Sequence, residues 1–285
     1  MREGREMVDL DTYRETSLRT WDKMASGWEE RREWILEDTR FIYDWLLDQA
    51  DPQPGETVLE IACGTGDLGL MAAERVGDEG RVIVTDFSPE MLEAARRNAE
   101  RQGAGNVEHR VLDAERMDLE DGSVDKVLSR WSYMLMADPG QALKETRRVL
   151  RDGGANCFAV WQTPDRNLWA AIPGMTLVER GHMPPPEPGA PGIFAMGERD
   201  RVEELVSGAG FTDVRIEEIA FDWHYTEDDI EVMLTRIAGP IAEVLNKLPD
   251  DERRASIEAV KERMGEFRNG DDMVVPAATW GVVAR

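Results

Sequence analysis

The stretch VLEIACGTGDLGL, Val58 to Leu70, decides how this chain is read. It joins a short aliphatic run to a helical one through Gly64-x-Gly66-x-x-Gly69, the letter pattern of a dinucleotide-binding turn. The charges beside that turn do not suit a pyrophosphate. Glu60 precedes it, and Asp67 follows Gly66 at the positive end of the next helix, where a phosphate would have to lie. Two carboxylates there would cost a doubly charged phosphate on the order of several kcal/mol, and the same carboxylates favour a cationic ligand. Ala62 also stands where a dinucleotide fold usually has its first glycine. The turn is therefore expected to approach its ligand closely through the backbone, and that ligand is expected not to be a pyrophosphate.

Outward from the turn, β-branched runs alternate with helical stretches. TVLEIA, RVIVTDF, VEHRVLD, SVDKVLSRW and ANCFAVW read as strands, and DLGLMAAERV, PEMLEAARRNAERQG and PGQALKETRRVLRDGG as the helices between them. This alternation predicts a doubly wound α/β domain with a mostly parallel sheet, spanning roughly Gln53 to Trp161. Before it, Trp21, Met24, Trp28, Ile35, Phe41, Ile42, Trp45 and Leu46 recur at helical spacing. The expected organisation is N-terminal helices over 1–50 forming part of a lid, the α/β core over 51–163, and a proline-rich loop over 164–197. The remaining core helix and strands then occupy 198–225 and 271–285, and a helical cap is inserted at 226–270. Long loops of the 164–197 kind usually bind or cover ligands.

Composition narrows the class. With 34 basic against 58 acidic residues, the net charge of −24 makes the average surface repel nucleic-acid phosphate and anionic lipid, so neither nucleic acid nor membrane is an expected partner. Cys63 and Cys157 fall in apolar segments that read as strand ends, as reduced thiols would. Two cysteines with His109, His182 and His224 offer no close ligand spacing, and no metal is expected. The N-terminus lacks an apolar segment of signal-peptide length, and a soluble cytoplasmic protein is the expectation.

In order and interval, VLEIACGTGDLGL, VIVTDFSPEMLEAARRNA, VLDAERMDLEDGSVDKVLSRW and ALKETRRVLRDGG resemble the successive motifs of class I S-adenosylmethionine-dependent methyltransferases, near the ubiquinone/menaquinone-biosynthesis branch. The resemblance covers about Trp21 to Trp161, departs from the commonest pattern at Ala62, and implies a Rossmann-like fold. It also implies roles that the residue types support. Asp86, twenty residues after Gly66, would accept both ribose hydroxyls, unless it caps the helix at Pro89. Phe87 and Met91 would pack on adenine, and Asp113 with the backbone of Ala114 would read its amino group. Glu60, Ala62, Gly64 and Gly66 would shape the turn around the methionine part. Ser129, Arg130 and Trp131 would leave the fourth strand beside the sulfonium. Each aromatic or methionine here has a core alternative.

A methyl sulfonium is already activated, so transfer needs alignment above all. A hydroxyl acceptor would still need a base, for which His182 and His224 are candidates, with Tyr133 and Asp138 behind them. A small, largely apolar acceptor is expected among Trp21, Trp28, Trp131, Met134, Met175, His182, Met183, Phe194, Trp223 and His224. No tetrapeptide of the amino-methylating kind follows the fourth strand, where SRWSYM stands, which argues against nucleic-acid adenine and protein glutamine. Oxygen or nitrogen is the favoured acceptor atom, with carbon possible. A nicotinamide-dependent oxidoreductase and a catalytically silent cofactor-binding protein remain the alternatives, and the oligomeric state is left open.

Overall fold

A computed structural model of the chain describes residues 9–187, 189–270 and 272–285. The first eight residues of the expected N-terminal segment, Pro188 of the proline-rich loop and Asp271 lie outside the described residues. Two helices, α1 (Leu10–Glu30) and α2 (Arg32–Ala50), lead into β1 (Thr57–Ile61), α3 (Asp67–Val76), β2 (Arg81–Asp86), α4 (Pro89–Gln102) and β3 (Val107–Val111). Then come β4 (Val124–Arg130), α5 (Pro139–Val149), β5 (Leu150–Trp161), α6 (Leu168–Glu179), α7 (Arg199–Gly208) and β6 (Val214–Tyr225). The chain continues through α8 (Glu227–Val232), α9 (Gly239–Leu245), α10 (Asp250–Met264), the two-residue β7 (Arg268–Asn269) and β8 (Asp272–Ala284).

The sheet runs β3-β2-β1-β4-β5-β8-β6, parallel from β3 to β5 and antiparallel where β8 joins β5 and β6. The strand order reverses direction beside β1, which is where a doubly wound sheet opens a crevice at its carboxyl edge. Local chemistry fixes the ends of its helices: the Ser88 hydroxyl accepts from Met91 N at 3.1 Å with Pro89 in the first turn, and Gly103 ends α4 in the left-handed region. β1 is buried on both faces beyond Thr57, so its sequence shows no alternation.

Three expectations need correcting. The proline-rich segment contains a helix, α6, because LWAAIPGMTLVE is apolar nearly all round and is buried through Trp169, Ala171, Ile172, Pro173, Thr176 and Leu177. Pro173 there costs only one helical bond, and the irregular stretch begins after α6, at Arg180. Leu150 to Gly154, read as the end of a helix, instead belong to β5, whose pairing with β4 shifts register there. The helical run after Tyr225 is broken by a π-turn over Met233–Ile237 before Gly239 and Pro240 start α9.

The β6–β8 ribbon outruns its neighbours. β5 pairs with β8 up to Trp161↔Thr279, whereas β6 continues from Ala220↔Ala278 to Tyr225↔Met273. This overhang rises past the carboxyl edge with Phe221, Trp223 and Tyr225 on its inner face. No helix among the described residues is long and apolar enough to cross a membrane.

Candidate active site

The turn after β1 is built from left-handed residues. Ala62 has φ 50°, Gly64 55° and Gly66 74°. A side chain on Gly64 would meet nothing within 4 Å, so the backbone is open to a ligand there, whereas one on Gly66 would strike Ala95 Cβ at 2.9 Å. The third glycine serves packing: a Cβ on Gly69 would sit 2.3 Å from Val84 Cγ1 and 2.5 Å from Glu60 Oε2. The two carboxylates read from sequence as favouring a cation have internal work instead. Glu60 accepts from Gly69 N at 2.8 Å, and burial pushes its carboxyl well above the usual range. Asp67 takes Arg32 Nη1 at 2.6 Å and the Thr65 hydroxyl at 2.6 Å. A pyrophosphate is thus kept from the start of α3 because the protein's own carboxyl groups fill that place.

Asp86 ends β2 beside this turn. Its Oδ1 accepts from Ser88 N at 2.9 Å and its Oδ2 from Gly64 N at 3.0 Å. Ser88, not Asp86, caps α4. The carboxylate keeps lone pairs on both oxygens, the acceptor set that two neighbouring hydroxyls require. Burial raises the Asp86 carboxyl to about 6 against these amides, with Asp22 of α1 adding to the rise. Asp22 itself accepts from the Ser88 hydroxyl at 2.6 Å. Met91 is buried with Met24 and Ala25 of α1 and Ala242 of α9, while Phe87 is half-buried. Ala114 is buried; Asp113 is exposed and accepts from Glu115 N at 2.9 Å within its own turn.

α1 lies across the carboxyl edge as a strap. The Tyr13 hydroxyl donates to Leu135 O at 2.8 Å, and Arg14 pairs with Glu115. Farther along, Thr20 donates to Glu243 at 2.7 Å, Trp28 Nε1 to Ile237 O at 3.1 Å, and Glu29 receives Arg97 at 2.6 Å and Arg101 at 3.2 Å. Asp22, Arg32 and Tyr43 were missed in sequence. Their partners lie far along the chain, and only their position on helices already expected to cover the site could have pointed to them.

Past Ser129, whose hydroxyl donates to Ile61 O at 3.2 Å, β4 ends in Arg130 and Trp131. Trp131 has φ 58°, an unusual state for a bulky residue, and is held by N–H donation to Ala159 O at 2.8 Å. Its ring stacks on Trp161 at 3.9 Å, and Phe221 and Trp223 of the overhang lie at 6.4 and 6.1 Å. Trp21 and Trp28 meet edge to face at 6.3 Å. Of the other expected acceptor contacts, Met134 is fully buried, Met183 and Phe194 are half-buried in the loop, and Met175 is exposed on α6.

The three candidate catalytic residues are not brought together. Tyr133 is wholly buried against Phe158, hydrogen-bonded to Thr146 at 2.8 Å and to Asn156 at 3.3 Å. His182 lies 3.4 Å from Glu252 of α10. His224 projects from the outer face of β6, 58% exposed and 3.4 Å from Asp38, because strand alternation sends it opposite Trp223. It therefore faces away from that tryptophan, although both are expected acceptor contacts. Asp138 caps α5 through Gln141 N.

Comparison with known proteins agrees with this geometry. Residues 58–154 match the methyltransferase domain family. A ubiquinone/menaquinone biosynthesis C-methyltransferase of Teredinibacter turnerae is 34% identical over 125 residues, covering 44% of this chain and 50% of that protein. Nocamycin O-methyltransferase of Saccharothrix syringae is 29% identical over 223 residues, covering 75% and 79%. The chain spans 31%, 51% and 64% of the lengths of three further curated relatives. Haemonchus contortus phospholethanolamine N-methyltransferase 2, solved in complex with phosphomonomethylethanolamine and S-adenosylhomocysteine, shares the fold. Its TM-score is 0.58 at 18% identity, over 96% of this chain and 60% of that one. Residues 58–154 of this chain thus carry a methyltransferase domain.

Proposed function

We propose that this protein methylates a small, largely apolar organic acceptor from S-adenosylmethionine, with S-adenosylhomocysteine as product. The observation that carries the reading is the Asp86 carboxylate, aimed by two backbone amides and left with lone pairs for a ribose, beside an open left-handed glycine turn. Bound there, the cofactor supplies a methyl group already activated on a positively charged sulfur. The chain's own residues do the rest. Gly64 leaves the backbone open to the amino-acid part, and Phe87, half-buried beside Asp86, offers apolar surface to the adenine.

Trp28 from the strap, Trp131 from β4 and Trp223 from the overhang would wall the acceptor space and exclude water, which favours an in-line approach in a dry site. Because His182, His224 and Tyr133 stand apart from that wall, the reading does not include proton removal by any of them. The methylated atom is read as oxygen or nitrogen before carbon. Calorimetric titration tests the proposal: S-adenosylhomocysteine should bind, and Asp86→Ala should weaken it by about 1–3 kcal/mol, the scale for unpaired hydroxyls. Absence of binding, or binding of NADH in its place, overturns it.

A further inference from the structure

The end of β4 holds a cation that has been given walls but no anion. The Arg130 guanidinium carbon lies 4.2 Å from the Trp131 ring centroid, 4.7 Å from that of Tyr43 on α2, and 6.0 Å from that of Trp28 on α1. Rings stacked on a guanidinium cover its faces and leave its in-plane N–H donors looking for oxygen. Nη1 is buried and has found none. The carboxyl groups nearby are committed elsewhere, Asp67 to Arg32 at 2.6 Å and Glu60 to Gly69 N at 2.8 Å. Buried N–H donors in folded proteins are nearly always satisfied, so this orphan calls for a ligand atom.

A second observation points the same way. Arg130 immediately precedes Trp131, whose left-handed backbone is pinned by the Ala159 carbonyl and by Nε1 donation to Thr279 at 3.2 Å. Strain of this kind persists where the surroundings over-determine it, and it clusters where ligands are gripped. Here the kink folds the tryptophan ring under the guanidinium that the preceding residue carries.

We propose that Arg130 is the anion subsite of the acceptor, and that the acceptor is a flat, apolar molecule that enters as an oxyanion, a carboxylate or a phenolate. This rests on the methyltransferase reading and names its substrate class. If the cofactor's positively charged sulfur lay beside this guanidinium, the pair would be unfavourable without a negative charge between them, and an anionic acceptor oxygen would supply that charge. It also removes the need for a base. The oxygen's lone pair forms the bond to the methyl carbon while the carbon–sulfur bond breaks and its electron pair stays on sulfur. The acceptor leaves as a neutral ester or ether, and no proton moves.

The competing source of the same chemistry is the cofactor's own amino-acid carboxylate, and the test separates the two. S-adenosylhomocysteine affinity is measured first, on wild type, Arg130→Gln and Arg130→Lys. The saturated proteins are then titrated with 1-naphthoate and its neutral counterpart 1-naphthamide, following tryptophan fluorescence. In wild type naphthoate should bind at least about tenfold more tightly than naphthamide. Arg130→Gln should abolish that preference and Arg130→Lys keep part of it, with S-adenosylhomocysteine affinity within about threefold throughout, which also reports an intact fold.

A loss of S-adenosylhomocysteine affinity in Arg130→Gln matching any loss of naphthoate assigns the arginine to the cofactor and overturns the inference. So does a wild type that shows no anion preference, including one that binds neither probe, or a preference that survives the substitution. If wild type fails to bind S-adenosylhomocysteine at all, the functional proposal falls instead.

Discussion

At the scale of single residues, the site gathers backbone and charge that would be unfavourable elsewhere. Ala62 holds φ 50° without being glycine. Ala62→Gly should therefore stabilise the protein by about 1 kcal/mol, the left-handed cost relieved less the added freedom of the unfolded chain. A midpoint unchanged or lowered in urea would contradict this. Asp86 carries a larger cost. Because its carboxyl is raised from 3.8 to about 6, the folded chain binds more protons than the unfolded one. Its stability contribution is full below about pH 4 and is lost as pH rises through about 6, by roughly 3 kcal/mol. The ligand reads the same group with the opposite sign, since ribose hydroxyls donate to the ionised form. S-adenosylhomocysteine should bind about tenfold more weakly at pH 5 than at pH 7.5 by calorimetry, and a flat profile would remove Asp86 as the titrating contact.

Elements explain which parts of the site could be seen in sequence. Strand endings were legible, because β-branched runs and the turns that follow them put Glu60, Asp86 and Arg130 at the carboxyl edge. The side on which His224 would fall was also legible, since it adjoins Trp223 on one strand and must face away from it. α6 was hidden because prolines outweighed an apolar pattern with no polar face. The strap's contacts were hidden for a different reason: Tyr13, Arg14, Asp22 and Trp28 meet residues about 66 to 209 positions away, and no local pattern encodes such pairs. Packing of the strap is tight at Gly27, where a Cβ would lie 2.3 Å from Arg236 O. Gly27→Ala should lift α1 from the π-turn at a cost of about 1–3 kcal/mol. Hydrogen exchange should then speed along α1 while β1 and β4 stay protected, whereas uniform deprotection would show that the strap is not a separate unit. Gly69→Ala acts on the sheet instead, forcing α3 off Val84 and Glu60, and should lower the global denaturation midpoint.

Across the whole molecule, the alternation of strands and helices fixed the parallel half of the sheet, while the height of the β6–β8 overhang depends on β8 pairing that no single segment announces. The net charge of −24 remains a statement about the surface. One arrangement has a kinetic consequence. Asp22 meets Ser88 and Arg32 meets Asp67 beside the glycine turn, while Trp28 and Tyr43 line Arg130, and all four ride on the consecutive helices α1 and α2. On the proposed function, cofactor and acceptor would share one doorway beneath these helices, and kcat should then fall in proportion to solvent viscosity as glycerol or sucrose is added; an unresponsive kcat would show that passage is free.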